Sequence, residues 1–160
     1  MRSKLPLMFL LVAAVAFSVS LFCFLPTLPD RLATHFGASG HPNGWMTRDQ
    51  HFVGIMLLGF GLPSLVIGIC YCLRFIPSSM LNVPHAEYWR SPEHYAEACR
   101  ILLKWSFCFG AISFIWTGML NYQLVLANRL TPPFLAATPV LILSGIYIAA
   151  TGLLIVMLML

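Results

Sequence analysis

The stretch LPLMFLLVAAVAFSVSLFCFL, residues 5–25, contains no formally charged side chain. Helical residues rise 1.5 Å each, so about 20 of them cross a hydrocarbon core of about 30 Å, and this run is long enough to span a bilayer. Three more runs share its character: Phe52 to Leu73, Trp105 to Leu126 and Pro133 to Leu160. All 9 Lys and Arg and all 5 Asp and Glu fall outside the four runs. A charge at mid-membrane costs at least about 2.5 kcal/mol on insertion scales, so this segregation is what a bilayer imposes.

Composition agrees with lipid as the solvent. The chain is 59% hydrophobic and only 9% charged, with a mean hydropathy of +0.85, whereas soluble domains carry about 25% charged residues. None of the runs shows the polar stripe of a surface helix. The sequence therefore predicts an all-α membrane protein, a four-transmembrane-helix bundle with spans at about 5–25, 52–73, 102–126 and 134–160. The connections are too short to hold an extramembrane domain, so residues 1–160 are expected to form a single integral membrane domain. Ala14-Val15-Ala16 offers small residues of the kind that signal peptidases cut, but the apolar run is too long for an ordinary signal core and reads as a retained span.

Basic residues set the expected orientation. Arg2 and Lys4 precede the first span, and Arg74, Arg90, Arg100 and Lys104 lie between the second and third. The opposite side holds Arg31, Arg48 and Arg129. By the positive-inside rule both termini are cytoplasmic, the loop Pro26 to His51 faces outward, and the segment Arg74 to Lys104 faces the cytoplasm. The net charge of +4 is scattered over these connections and forms no patch, which argues against nucleic acid as a partner.

Packing in lipid depends on close approach at small residues. Such residues occur four apart at Ala14 and Ser18, Ala16 and Ser20, Ser64 and Gly68, and Gly145 and Ala149. Pro63 removes a helical hydrogen bond and is expected to kink the second span. Tyr71, Trp105, Trp116, Tyr122 and Tyr147 read as partly interfacial aromatics. Asn121 and Gln123 are expected to cap the third span or meet the headgroups. Cys23, Cys70, Cys72, Cys99 and Cys108 have no metal or redox spacing and read as packing residues.

The outer loop is short and dense in turn formers: Gly37, Gly40, Pro42, Asn43 and Gly44. Asn43-Gly44 is a type I′ turn signal, and flanking extended pieces such as Ala33 to Phe36 are expected to pair as a small ribbon. Thr47 or Asp49 is placed to cap the second helix. The candidate binding residues here are His35, Phe36, Gly40, Pro42, Gly44 and Trp45, held on a short ordered loop. His35, His41 and Asp30, with His51 nearby, are the residues a metal would use, but they match no standard metal spacing. No metal and no cofactor is expected.

The inner segment supplies a second candidate set: Asn82, Pro84, Tyr88, Trp89, Pro92 and Glu93. Ser91-Pro92-Glu93 reads as a helix start, with hydroxyl N-cap, proline at N1 and a carboxylate in the first turn. A helix from there is expected to run through Tyr95, Ala98, Ile101 and Leu102 into the third span. Tyr88 and Trp89 would anchor a cytoplasmic interfacial helix.

Leu28-Pro29, His35-Phe36 and Gly40-His41-Pro42-Asn43-Gly44-Trp45 together resemble the signature of the domain-of-unknown-function family 1648: a proline, a histidine followed by an aromatic, then a glycine–x–proline turn. Asn82-Val83-Pro84, Tyr88-Trp89 and Ser91-Pro92-Glu93 are similar to a second motif seen in members with this layout. The resemblance implies a bacterial inner-membrane protein related to the killing-factor immunity and signalling family. No catalytic constellation is legible in the spans or loops. The expected function is a small non-enzymatic membrane protein, an immunity, sensing or accessory-subunit module that recognises a peptide or protein partner, or a second copy of itself, through its outer loop. Two other classes stay open on the sequence alone: a small-solute transporter or channel-like component, and a metal-dependent membrane enzyme using His35, His41 and Asp30.

Overall fold

A computed structural model describes residues Lys4 to Met159. Its helices follow the charge-free runs. α1 spans Leu5–Phe24, and a hairpin of β1 (Arg31–Phe36) and β2 (Pro42–Thr47) follows it. The second span is built from α2 (Arg48–Met56), a π-helical turn (Leu57–Gly61) and α3 (Leu62–Cys72). After the short α4 (Ala86–Arg90) come α5 (Tyr95–Asn128) and α6 (Ala137–Met159). Among the described residues, four helical stretches are long and apolar enough to cross a membrane: Leu5–Thr27, Arg48–Phe75, Tyr95–Asn128 and Ala137–Met157. The expected four-transmembrane-helix bundle with a turn-rich loop is therefore what the chain forms.

α5 is the centre of the bundle, and α1, α3 and α6 all pack on it. The main buried cluster joins Leu10, Ala13, Phe17 and Leu21 of α1 to Ile55 of α2 and to Ala111 and Phe114 of α5. Three rings interlock at its middle. Phe17 lies 5.6 Å from Phe60 and 5.5 Å from Phe114, and Phe60 lies 4.9 Å from Phe114. These are tilted or edge-on contacts, which ring quadrupoles favour.

Glycines let this cluster close. A Cβ on Gly59 would strike the Phe17 ring, and one on Gly110 would come within 2.8 Å of Leu10 Cδ1. Two of the small-residue pairs expected to mediate packing do not do so: Gly68 and Gly145 have nothing within 4 Å of a Cβ position. Ser18 and Ser20 instead return their hydroxyls to the carbonyls of Ala14 and Phe17 on their own helix.

The second span changes its helical winding just ahead of Pro63. The widened π-helical turn at Leu57–Gly61 sits immediately before it. Proline offers no N–H to the carbonyl four residues earlier, and a π-bulge is one of the ways a helix absorbs that loss. Pro63 itself is buried.

Three expectations need correction. Ser91 does not cap α5 with its hydroxyl: Ser91 Oγ donates to the Tyr88 carbonyl at 2.9 Å, and regular helix begins at Tyr95. Asn121 neither caps α5 nor reaches the headgroups. It is 3% exposed, and its Oδ1 accepts from His51 Nε2 at 2.9 Å, so the position on the inward face of α5 decides its role. Trp116 and Tyr147, each read as partly interfacial, make a contact between two helices instead. Their rings stack at 4.5 Å between α5 and α6, and Tyr147 Oη lies 3.2 Å from Ser113 Oγ.

Contacts at the bundle ends fix which connections lie together. Ala33 of β1 is hydrogen-bonded to Asn128 at the end of α5, and the Leu135 N–H donates to the Gly40 carbonyl. The ribbon and the α5–α6 connection thus share one end. At the other, Tyr95 Oη lies 2.5 Å from the Leu73 carbonyl oxygen and 2.9 Å from that of Ile76, fastening the start of α5 to the end of the second span.

Candidate functional site

Outside the spans the chain forms a two-stranded ribbon, and its geometry begins with the turn. Asn43-Gly44 does not form it; both lie within β2. The chain reverses at Gly37 to Gly40, where the Gly40 N–H donates to the Gly37 carbonyl and the Gly37 N–H to the His41 carbonyl, both at 2.9 Å. Gly40 has φ +82°, a conformation that glycine adopts without Cβ strain.

Pairing is antiparallel, with Arg31 opposite Thr47, Leu32 opposite Met46, Ala33 opposite Trp45, His35 opposite Gly44 and Phe36 opposite Pro42. Irregularities on either side of His35 break the simple alternation of faces. Gly44 is needed for a reason other than turn geometry. A Cβ there would fall 2.7 Å from His35 Cβ.

At the base of the hairpin, Arg48 gathers the loop. Its Nη2 contacts Asp30 Oδ1 at 2.5 Å, its Nη1 donates to the Leu28 carbonyl at 3.3 Å, and its own N–H donates to the Asp30 carbonyl at 3.0 Å. Of the two residues the sequence offers, Thr47 caps α2, and it does so in a reciprocal box with Gln50. Thr47 Oγ1 accepts from the Gln50 N–H, and Gln50 Oε1 accepts from the Thr47 N–H.

Docking onto the bundle comes from one strand and from the tip. Leu32 and Ala33 are fully buried, Leu32 against Leu28 and Val125. Asn128 meets the backbone of Ala33 with both ends of its amide: Oδ1 accepts from the Ala33 N–H and Nδ2 donates to the Ala33 carbonyl, each at 2.8 Å. At the tip, a Cβ on Gly40 would lie 2.6 Å from the Phe134 ring, and His41 meets that ring edge-on at 5.6 Å. The strand edge facing α5 and the turn are both covered.

The outer candidate residues divide accordingly. Gly40 is buried under Phe134, while Phe36, Pro42 and Gly44 are half-buried. His35 and Trp45 are exposed, Trp45 to 44%, and Met46 beside it to 42%. Of the candidates on the ribbon, His35 and Trp45 are the exposed ones.

The residues weighed for a metal do not converge. Asp30 is at the hairpin base on Arg48, His41 is at the tip on Phe134, and His51 is buried on Asn121. Among the described residues no three His, Cys, Asp or Glu side chains stand close enough to hold an ion. The metal-enzyme arrangement of His35, His41 and Asp30 therefore has no geometric basis, because the hairpin holds its candidate ligands at separate ends.

The inner candidates lie at the opposite end of the bundle. His85, in the left-handed region at φ 54°, turns the chain into α4. Tyr88 is exposed and stacks on His94 at 3.9 Å, with Trp89 edge-on to it at 4.9 Å. Trp89 is half-buried and shares a small cavity with Val83, Ala98, Ile101 and Leu102. Asn82, Pro92 and Glu93 are exposed and Pro84 half-buried. Arg90 Nε donates to the Leu81 carbonyl at 2.8 Å, closing this segment on itself. The two candidate sets form separate surfaces.

Sequence reasoning passed over Asn128 and gave Asn121 a different role. A single asparagine near a helix end carries no signal of its own, since its partner here is 95 residues away.

Residues 5–60 match the family model described as Domain of unknown function (DUF1648). The matched stretch takes in α1, the ribbon, α2 and the π-helical turn as far as Phe60, and stops short of the inner segment. No curated protein and no solved structure gives a match.

Proposed function

We propose that this chain is a small non-enzymatic protein of the bacterial inner membrane, one integral domain whose ribbon recognises a peptide or protein partner in an immunity, sensing or accessory role. One observation carries the reading: the ribbon is fixed to the bundle at Asn128 and Phe134, yet His35, Trp45 and Met46 on it stay exposed. A surface held in place before binding loses little conformational freedom on binding, and exposed aromatics on such a surface are suited to recognition. The excess of Lys and Arg around the N-terminus and in 74–104 supports an outward ribbon and cytoplasmic chain ends. Tyr88 and Trp89 then belong to a second, cytoplasmic surface at the other end of the bundle. The likeness of the ribbon residues to the domain-of-unknown-function family 1648, and through it to the killing-factor immunity and signalling family, is the ground for naming immunity among the three.

The test is complementation. A strain lacking the chain is challenged with the peptides its own species secretes, and a photo-crosslinker at position 46 reports the partner. Wild-type chain is expected to restore growth and give a discrete crosslink. His35→Ala with Trp45→Ala is expected to lose both while the protein stays in the membrane at normal level. Full resistance and an unchanged crosslink from that double variant would end the recognition reading.

A further inference from the structure

At the end of the bundle opposite the ribbon, a cleft of about 390 Å³ opens between the end of the second span and the start of α5, lined by Arg74, Tyr95, Ala96, Cys99 and Arg100. That size falls within the range of about 300–1,000 Å³ usual for small-ligand pockets. Two arginines line it, both exposed, and each gives its Nε proton to the backbone. Arg74 Nε donates to the Tyr71 carbonyl at 3.0 Å while its guanidinium lies 3.9 Å over the Tyr71 ring. Arg100 Nε donates to the Ala96 carbonyl at 3.4 Å. In both cases the backbone takes the Nε proton, and no contact found among the described residues engages the terminal nitrogens.

No carboxylate neutralises either arginine. Among the described residues the one ion pair is Arg48 with Asp30, at the ribbon end. Glu87, Glu93 and Glu97 lie near in sequence, yet none comes within ion-pair distance of Arg74 or Arg100. Tyr95 cannot neutralise them, because its hydroxyl is directed to the carbonyls of Leu73 and Ile76. Two uncompensated guanidiniums flanking one cleft call for an anion, and guanidinium geometry matches the paired oxygens of a phosphate.

Depth in the bilayer sharpens the choice. α5 has 34 residues, about 51 Å of helix at 1.5 Å per residue, and so overruns a hydrocarbon core of about 30 Å. Its first turns, with Tyr95 to Arg100, carry the charges that the following apolar run lacks, and Arg74 ends the second span at the same level. That is the zone of lipid phosphates, where basic pockets between spans take anionic headgroups.

We infer that the cleft between Arg74 and Arg100 is a binding site for a phosphate-bearing anion, filled in the membrane by the headgroup of an anionic phospholipid. Both arginines grip phosphate oxygens through their terminal nitrogens, and Tyr95 holds the two helix ends at the spacing the site needs.

The full-length chain, purified in detergent, is mixed with equal amounts of phosphatidylglycerol and phosphatidylcholine, and retained lipid is read by native mass spectrometry. The expected result is a preference of about tenfold for phosphatidylglycerol, a factor within reach of charge-assisted hydrogen bonds. Inorganic phosphate added alone is the second arm: if it binds and phosphatidylglycerol shows no preference, the site takes a free anion and the lipid assignment falls. Arg74→Gln with Arg100→Gln is expected to abolish the preference, and Arg31→Gln with Arg129→Gln, at the ribbon end, to leave it intact. Arg100→Gln alone, a change at an exposed side chain, is expected to lower it several-fold and serves if the double variant does not fold. Retention of neither anion by the wild-type chain, or an undiminished preference in the arginine variants, would overturn the inference.

Discussion

Asn128 treats Ala33 as a neighbouring strand would, accepting from its N–H and donating to its carbonyl, each at 2.8 Å, from the last residue of a helix. The same Nδ2 also donates to the Leu124 carbonyl at 2.9 Å, so the amide is locked in one orientation. An edge strand with unpaired backbone groups invites other chains to pair with it. Here one side chain satisfies the residue that packs most tightly on the bundle.

Asn128→Ala removes both bonds and leaves the buried backbone groups of Ala33 without partners, which costs about 1–3 kcal/mol. Asn128→Asp is expected to be no better despite its similar shape, because a carboxylate cannot donate to the carbonyls of Ala33 and Leu124. Hydrogen exchange provides the readout. Faster exchange confined to the amides of β1 and β2, with α5 protected as before, is the expected pattern for both variants. Unchanged protection at Ala33 would show that apolar burial of Leu32 alone docks the ribbon.

Two glycines of the ribbon should respond to alanine for different reasons. Gly40→Ala puts a Cβ at φ +82° and drives it against the Phe134 ring, so strain and collision add. Gly44→Ala has no such backbone cost, but its methyl group would sit 2.7 Å from His35 Cβ across the hairpin. Gly37→Ala meets nothing closer than 3.7 Å and is the control. Thermal melts in detergent should order the variants with Gly40→Ala lowest, Gly44→Ala below wild type, and Gly37→Ala near wild type.

The spans were legible because one property, the exclusion of charge from long runs, is written locally and lipid enforces it. The box at Thr47 and Gln50 was partly legible for a similar reason: its partners are three residues apart, and threonine before a helix start has few other roles. Of the turn formers, Gly37 and Gly40 make the reversal and Asn43-Gly44 does not. Asn43-Gly44 has the residues of a type I′ turn, but Phe134 covers Gly40 and His35 demands a glycine opposite it, and neither constraint is visible in the hairpin's own sequence. Asn121 and Asn128 were missed in their true roles because each is read only against a partner from another span or loop. Gly59 and Gly110 likewise owe their importance to Phe17 and Leu10 on α1, whereas Gly68 and Gly145 have the favoured spacing and face open space.

The buried pair of His51 and Asn121 ties the start of the second span to α5. Removing one partner strands the other in an apolar setting, and the loss is then the desolvation cost of an unpaired polar group, about 1–3 kcal/mol. Replacing both by apolar residues of similar size removes the debt. His51→Phe and Asn121→Leu are each expected to lower stability, and the double variant to recover much of it. Urea or heat denaturation of the four proteins as a double-mutant cycle tests this, and additive losses would mean the two side chains are not energetically coupled.

The second span meets α1 at Gly59, where an added Cβ would collide with Phe17 Cζ, and it supplies the sharpest contrast among the helix glycines. Alanine raises intrinsic helix propensity by about 1 kcal/mol over glycine, so a glycine with room to spare should tolerate or welcome it. Gly54, Gly61 and Gly68 have nothing within 4 Å of a Cβ position and belong to that class. Gly59 does not, because its added methyl would run into the Phe17 ring, which is itself wedged against Phe60 and Phe114. The ring cannot swing away without opening the cluster, and overpacking of this kind costs about 1–3 kcal/mol. Gly59→Ala is thus expected to destabilise the bundle while alanine at Gly54 or Gly68 leaves it equal or slightly firmer. Phe17→Leu in the Gly59→Ala background should restore part of the loss by vacating the space the methyl needs. If Gly59→Ala melts with the open-site variants, Phe17 does not set the distance between these two spans.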